Sequence, residues 1–328
     1  MIHLRVVAAG DTADRAYALL AASGQVGNLT RLPGAVTKPG GDLILCDVVS
    51  QDASSVVADL RELGVPRGGS IAIEPVDSHL SEDAVTTETS ASSSDAVVWE
   101  EVETRTAGMT ALSGQFLALS ALATVIAMAG ILQRNAILIV GAMIVGPDFG
   151  PVAGVSVAVV ERRARLAGRS LAALAGGFAF GIAIGAGIGL ALRLAGPFPG
   201  HLLEAPGQLP QSVAQVTGTP GFFSVFVAFA AGIAGMVSLS TARGGVLIGV
   251  LVSVATVPAA ANVALGLAYG RWATAAGSAA QLGVNVATLL VAGTAWLAIR
   301  RALFSRRRRA ERRRDPARAA AGLPVGSR

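Results

Sequence analysis

One carboxylate stands out in this 328-residue chain for where it lies: Asp148, inside the apolar segment GAMIVGPDFGP that runs from Gly141 to Pro151. An aspartate at the centre of a membrane helix costs about 2.5 to 3.5 kcal/mol on insertion scales, so one kept there argues for a function. Two readings stay open for it. Asp148 can carry a proton or bind an ion, or it can cap a new helix by accepting hydrogen bonds from the amides of Phe149 and Gly150. The same segment holds Gly141, Gly146, Gly150, Pro147 and Pro151. Proline removes a backbone donor and clashes with the preceding turn, so two prolines four residues apart predict a broken or kinked helix. Broken backbone at membrane depth survives only where protein or water satisfies it, and transporters build binding sites from such breaks.

A second interruption is expected in LIGVLVSVATVPAAAN, where Pro258 lies mid-segment and Asn262 follows one turn on. With gaps, this segment can be laid beside LIVGAMIVGPDFGPVAG, which would suit an inverted duplication of three spans with a shared site. Gln281 and Asn285 are four apart and share a helix face, where they line a polar pathway or hydrogen-bond a neighbouring helix. The candidate pathway residues are therefore Gly141, Gly146, Pro147, Asp148, Gly150, Pro151, Pro258, Asn262 and Asn285. Gly177, Gly181, Gly185 and Gly189 form a stripe of small residues at four-residue spacing. Such a stripe lets helices approach closely, within one subunit or between subunits of a homo-oligomer.

The elements that must position these residues are apolar and long. Hydrophobic residues make up 52% of the chain and charged ones 14%, with a mean hydropathy of +0.60; soluble domains carry roughly a quarter charged residues. Six runs, at about 111–132, 136–160, 170–194, 222–242, 245–269 and 277–299, each reach the ~20 residues needed to cross hydrocarbon. Nine arginines from Arg300 to Arg314, with Arg162, Arg163, Arg165, Arg169 and Arg243, fall on one side of such a bundle, against Arg134, Arg193 and Arg271 on the other. That asymmetry predicts a multi-pass protein of the cell membrane with both termini cytoplasmic. The one long outside loop, from Ala195 to Gly221, has His201 and Glu204 as its only ionisable residues, too few for a metal site.

Residues 1–77 read differently. Ile2, Leu4 and Val6 alternate with His3 and Arg5 as in a half-buried strand. A helix capped by Asp11 or Thr12 follows, then a short strand from Val26 to Leu32, the turn-rich stretch PGAVTKPGGD, and a strand over Leu43 to Val49. A helix starting at Asp52 or Ser54 and a last strand over Ser70 to Glu74 complete a ferredoxin-like βαββαβ pattern. Residues 78–106 form an acidic, Ser/Thr-rich linker and a juxtamembrane helix. Residues 107–299 form the six-helix transmembrane domain, and residues 300–328 an Arg-rich cytoplasmic tail suited to anionic lipid headgroups. The fold class is thus an all-α membrane bundle with a broken second helix behind an α+β domain.

Several functions are disfavoured. The net charge of +5 comes from the tail and does not indicate nucleic-acid binding. Cys46 is the only cysteine, so no intrachain disulfide forms, and it sits in an apolar run as a core residue. No HExxH, GxSxG or phosphate-binding loop is present, so neither an enzyme nor a cofactor is expected.

The segments VVWEEVE, GILQRNA, GAMIVGPDFGP, FVAFAAGIAGMVSLS, GGVLIGVLVSVATVP and LGVNVATLL resemble the bacterial and archaeal hydrophobic membrane protein family called domain of unknown function 389. The resemblance covers roughly Val97 to Ala298. It implies a membrane domain, often with a small N-terminal domain, and no assigned activity. The chain departs from the family pattern where Asp148 replaces an apolar residue, where Pro258-Ala259 replaces a proline pair, and where Thr217 to Pro220 replaces an Arg-Thr pair. A role for Asp148 would then belong to this chain rather than to the family at large. The leading expectation is a transporter or channel for a small solute or ion with a cytoplasmic regulatory domain. The alternative is a membrane-anchored sensor or scaffold in which the soluble domain is the working part.

Overall fold

A computed structural model describes residues 1–49, 52–76, 106, 108, 111–195, 221–241, 245–312 and 322. The expected linker, the loop with His201 and Glu204, and the end of the arginine-rich tail lie outside the described residues. The chain divides into two compact units, Met1–Val102 with Arg301–Arg328, and Glu103–Arg300.

The first unit holds β1 (Ile2–Ala8), α1 (Gly10–Ala22), β2 (Val26–Thr37), β3 (Gly40–Val48), α2 (Ala53–Glu62), α3 (Val65–Gly68) and β4 (Ser70–Pro75). The sheet is antiparallel in the order β2-β3-β1-β4, with Leu4 opposite both Cys46 and Ile73. Alternation along β1 and β3 sends Leu4, Val6, Ile44, Cys46 and Val48 into one core with Ala16, Leu19 and Leu20 of α1 and Val56, Val57 and Leu60 of α2. Burial pushes the Cys46 thiol up to about 12, so it stays unreactive in the fold. Gly64 (φ +84°) ends the turn after α2 in the left-handed region that glycine tolerates.

Two local expectations are corrected. Neither Asp11 nor Thr12 caps α1: the helix begins at Gly10 behind Ala9, and Asp11 lies in the first turn, where it complements the helix dipole. The stretch after Leu32 is not all turn, because β2 runs on to Thr37 with register shifts between Gly27 and Thr30 and between Leu32 and Val36. β2 is an edge strand, where the missing amide of Pro33 is tolerated. Asp42 clamps the irregularity from β3. Its Oδ1 accepts from the Gly34 amide at 2.9 Å, and its Oδ2 accepts from Arg31 Nε and Nη2 at 2.8 and 2.6 Å.

The second unit is helical: α4 (Gly114–Leu132), α5 (Ala136–Val145), α6 (Phe149–Val160), α7 (Ala164–Ala195), α8 (Phe222–Thr241), α9 (Gly245–Ala268) and α10 (Trp272–Arg312). Caps explain two of the starts. Ser113 Oγ accepts from the Phe116 amide at 3.1 Å, and Asn135 Oδ1 accepts from the Ile137 amide at 3.0 Å. Among the described residues, four helices are long and apolar enough to cross a bilayer, and α5 with α6, bent by 51°, makes a fifth if the pair is one broken span. These helices mark a membrane protein. α9 adds a mostly apolar helix of 24 residues, of which Thr256–Ala268 is by itself a shorter apolar helix.

Small residues set the packing. A Cβ at Gly177 would meet Phe116 and Ser120, one at Gly181 would meet Ser120 and Thr124, and one at Gly185 would meet Met128 and Ala264. At Gly189 it would meet Ala268 and Met128. The glycine stripe of α7 is thus packed within this chain against α4 and α9, and the stepwise order of the contacts makes α4, α7 and α9 run the same way. Ser224 bonds Gln281 and Asn285, while Gly232 meets Leu289 and Met236 meets Gly293, so α8 and α10 are parallel too. Asn262 with Ser278, and Gly266 with Ala275, make α9 and α10 an antiparallel pair.

Pro258 does not interrupt its span. α9 continues through it from Gly245 to Ala268, losing one hydrogen bond because proline has no amide to donate. The expected pair of broken helices therefore reduces to one break, between α5 and α6, and the inverted-repeat reading loses its second member.

Candidate functional site

The break follows from Pro147. Met143 at the end of α5 would accept from residue 147 in a continuous helix, and proline cannot donate. Gly146 turns extended (φ −61°, ψ 124°) and closes α5 with its amide on the Ala142 carbonyl at 3.1 Å. α6 restarts at Phe149, with Gly150 and Pro151 buried in its first turn, where an absent amide costs nothing.

Asp148 occupies the N-cap position of α6 but makes no capping hydrogen bond. Its Oδ2 instead accepts from Thr256 Oγ1 on α9 at 2.8 Å. The Thr256 hydroxyl also lies 3.5 Å from the Val252 carbonyl, and the shorter contact is the stronger. Asp148 is 4% exposed, and among the described residues Thr256 is its hydrogen-bond donor and no basic group pairs with it. Thr256 is the twelfth of the 24 residues of α9, so at 1.5 Å per residue the pair lies roughly 17 Å from either helix end. Gly146 lets α9 come close: a Cβ there would stand 3.0 Å from Val257 Cγ2 and 3.1 Å from Ser253 Oγ.

The other candidates gather elsewhere in the unit. Asn285 Oδ1 accepts from Ser224 Oγ at 2.9 Å and from Gln281 Nε2 at 3.1 Å, and Gln281 Nε2 also donates to Ser224 Oγ. Asn262 Nδ2 donates to Ser278 Oγ at 3.0 Å, joining α9 to α10. All five of these side chains are buried. Gly141 has open space where a side chain would be and is not drawn to any of these groups. Among the described residues, no three His, Cys, Asp or Glu side chains come together as a metal site.

Sequence reading missed Thr256, Ser253, Ser224 and Ser278. Part of the signal was there: Ser278, Gln281 and Asn285 follow an i, i+3, i+7 pattern, and Ser253 and Thr256 are three apart on one face of α9. Which helix those faces meet was not in the pattern. The Ser156, Ser253 and Gln281 side chains each keep a buried oxygen with no hydrogen-bond partner among the described residues.

An uncharacterized protein of Methanocaldococcus jannaschii is 25% identical over 162 residues, covering 49% of this chain and 47% of the relative, so the match spans about half the relative's length. No solved structure matches. Residues 143–291, from the last turn of α5 through the buried polar positions of α10, match the sequence model of the family described as domain of unknown function (DUF389).

Proposed function

We propose that the protein is a multi-pass transporter or channel of the cell membrane for a small solute or ion. It has six spans and cytoplasmic termini, and its ferredoxin-like N-terminal unit regulates it from the cytoplasm. The observation that carries the reading is Asp148: a carboxylate near the middle of a helical bundle, at a helix break, held by one hydroxyl from a helix 108 residues away. A bare anchor has no use for a feature that costs several kcal/mol of insertion energy. The six-span count is supported by the shared direction of α4, α7 and α9, opposite to α10, which is what alternating crossings require. An even number of crossings leaves both termini on one side, and the arginine distribution favours the cytoplasm. The ferredoxin-like assignment is supported by the β2-β3-β1-β4 antiparallel order with helices after β1 and β3. Anionic lipid headgroups are the proposed partners of the arginine-rich tail.

Flux into proteoliposomes, screened over small ions and neutral solutes, tests the reading with the full chain and with residues 1–96 deleted. Flux above empty liposomes, retained with altered control in the deletion, is the expected result. Absence of flux for every solute, with a partner or ligand bound by residues 1–96, would instead make the chain an anchored sensor.

A further inference from the structure

We propose that the broken span holds a desolvated alkali cation of the sodium class between α5, α6 and α9, an inference that rests on the transport reading and names its ligand. Four oxygen groups lie at this break and on the turn of α9 that packs against it. The Asp148 carboxylate bonds Thr256 Oγ1 at 2.8 Å. Ser253 sits one turn before Thr256 on the same face of α9, is 0% exposed, and its Oγ has no hydrogen-bond partner among the described residues. That oxygen lies 3.1 Å, and the Met143 carbonyl oxygen 3.6 Å, from the point where a Cβ on Gly146 would stand. Both therefore face the side-chain-free side of Gly146. The Met143 carbonyl has lost its helical donor to Pro147.

The chemistry of this set is that of a hard monovalent cation. Carboxylate, hydroxyl and carbonyl oxygens are the donors such ions take, and the carbonyl end of a half-helix carries partial negative charge. A buried charge must be matched or neutralised. One carboxylate balances one positive charge, and a divalent ion would leave an excess charge buried. A water molecule would serve Ser253 and Met143 but leave the carboxylate unmatched. A proton alone would neutralise Asp148 but give Ser253 and Met143 no common partner. Gly146 has a defined role here, because a Cβ at that position would stand 3.1 Å from Ser253 Oγ and crowd the oxygen the ion needs.

The test is thermal unfolding of the purified full chain in detergent, titrated with sodium chloride against choline chloride at equal ionic strength, then with lithium and potassium chloride. The wild type and the lipid-facing variant Ile137→Ala are expected to gain Tm as the alkali cation rises. Asp148→Asn is expected to lose the gain, and Ser253→Ala to need about tenfold or more sodium for it. Ser253→Ala removes a hydroxyl with no partner among the described residues, so it keeps wild-type stability in choline and serves as the readout if Asp148→Asn fails to fold. A wild-type Tm indifferent to every alkali cation overturns the site. So does a full sodium gain in both variants, which would put the ion elsewhere. Flux on the same preparations decides the transport reading separately: indifference to sodium with flux retained overturns the cation site alone, and a sodium gain without flux supports the site and overturns transport.

Discussion

Leu4, Val6, Leu20, Ile44 and Leu60 fill the centre of the N-terminal unit, while in the helical unit Leu122, Ile137, Val140, Ile144, Phe226 and Val291 face outward. The helical unit buries alanines, the glycines of α7, and Ser120, Thr124, Ser156, Ser253, Thr256, Gln281 and Asn285. The reversal follows from the solvent. Water drives large apolar side chains inward, but lipid is as apolar as leucine, so helices there associate through close packing and interhelical hydrogen bonds. The two units treat a buried aspartate differently as well. Asp47, 9% exposed, has His3 Nδ1 2.8 Å from Oδ1 and accepts from Asn28 Nδ2 at 2.7 Å on Oδ2, so both oxygens are served by its own sheet. Asp148 is more deeply buried and has one hydroxyl. The first arrangement completes a fold; the second leaves acceptor capacity for something else.

The contrast can be broken by truncating one large side chain in each unit. Leu4→Ala is expected to destabilise the N-terminal unit by about 2–5 kcal/mol, whereas Ile137→Ala on the lipid face should change helical-unit stability by less than about 0.5 kcal/mol. Chemical denaturation followed separately for the two units measures both. Comparable losses would mean that α5 is buried against protein.

Enlarging a small residue should have the opposite pattern. A side chain at Gly181 starts with its Cβ 2.6 Å from Thr124 Oγ1 and 3.0 Å from the Ser120 carbonyl, whereas Gly187 has nothing within 4 Å. Gly181→Leu is expected to cost about 1–3 kcal/mol or more through overpacking, and Gly187→Leu close to nothing. Thermal inactivation of the two variants in detergent gives the comparison.

Exchanging the aspartates sharpens it. Asp47→Ala is expected to cost the N-terminal unit about 1–3 kcal/mol by stranding Asn28 and His3, with little effect on flux. Asp148→Asn should do the reverse, leaving the fold intact and lowering flux about tenfold or more in proteoliposomes. Equal flux in both variants would remove Asp148 from the pathway.

The smallest effect is expected from pH. The Gly34 amide and the Arg31 guanidinium hold Asp42 below the usual carboxylate range. A lowered folded-state value means that its contribution is complete above the unfolded value of about 4 and is lost as pH falls through the folded one. The N-terminal unit should therefore be slightly less stable toward and below about pH 4, with a shallower loss in Asp42→Asn, read by unfolding across a pH series.

Period and composition determined a good deal by themselves. Alternation over Ile2 to Ala8 is local, and so is the requirement for apolar residues over each helix that enters lipid. The break at Gly146 to Asp148 was legible because Pro147 removes an amide wherever it occurs. Pro258 carried the same signal and gave a continuous helix, because the surrounding packing can absorb one lost bond. The length of β2 escaped too, since its irregular middle depends on Asp42 reaching across from β3.

The partners of the buried polar groups were decided only by the tertiary structure. Asp148 read as a cap or as a functional acid on equal terms, because both need the same break. Thr256, 108 residues on, separated the readings by taking Oδ2 while the α6 amides received no side-chain bond. A residue's own sequence neighbourhood specifies where a backbone must break. It does not specify which distant helix will meet the break, because that choice is set by how the glycine and alanine faces of α4, α7 and α9 close against one another.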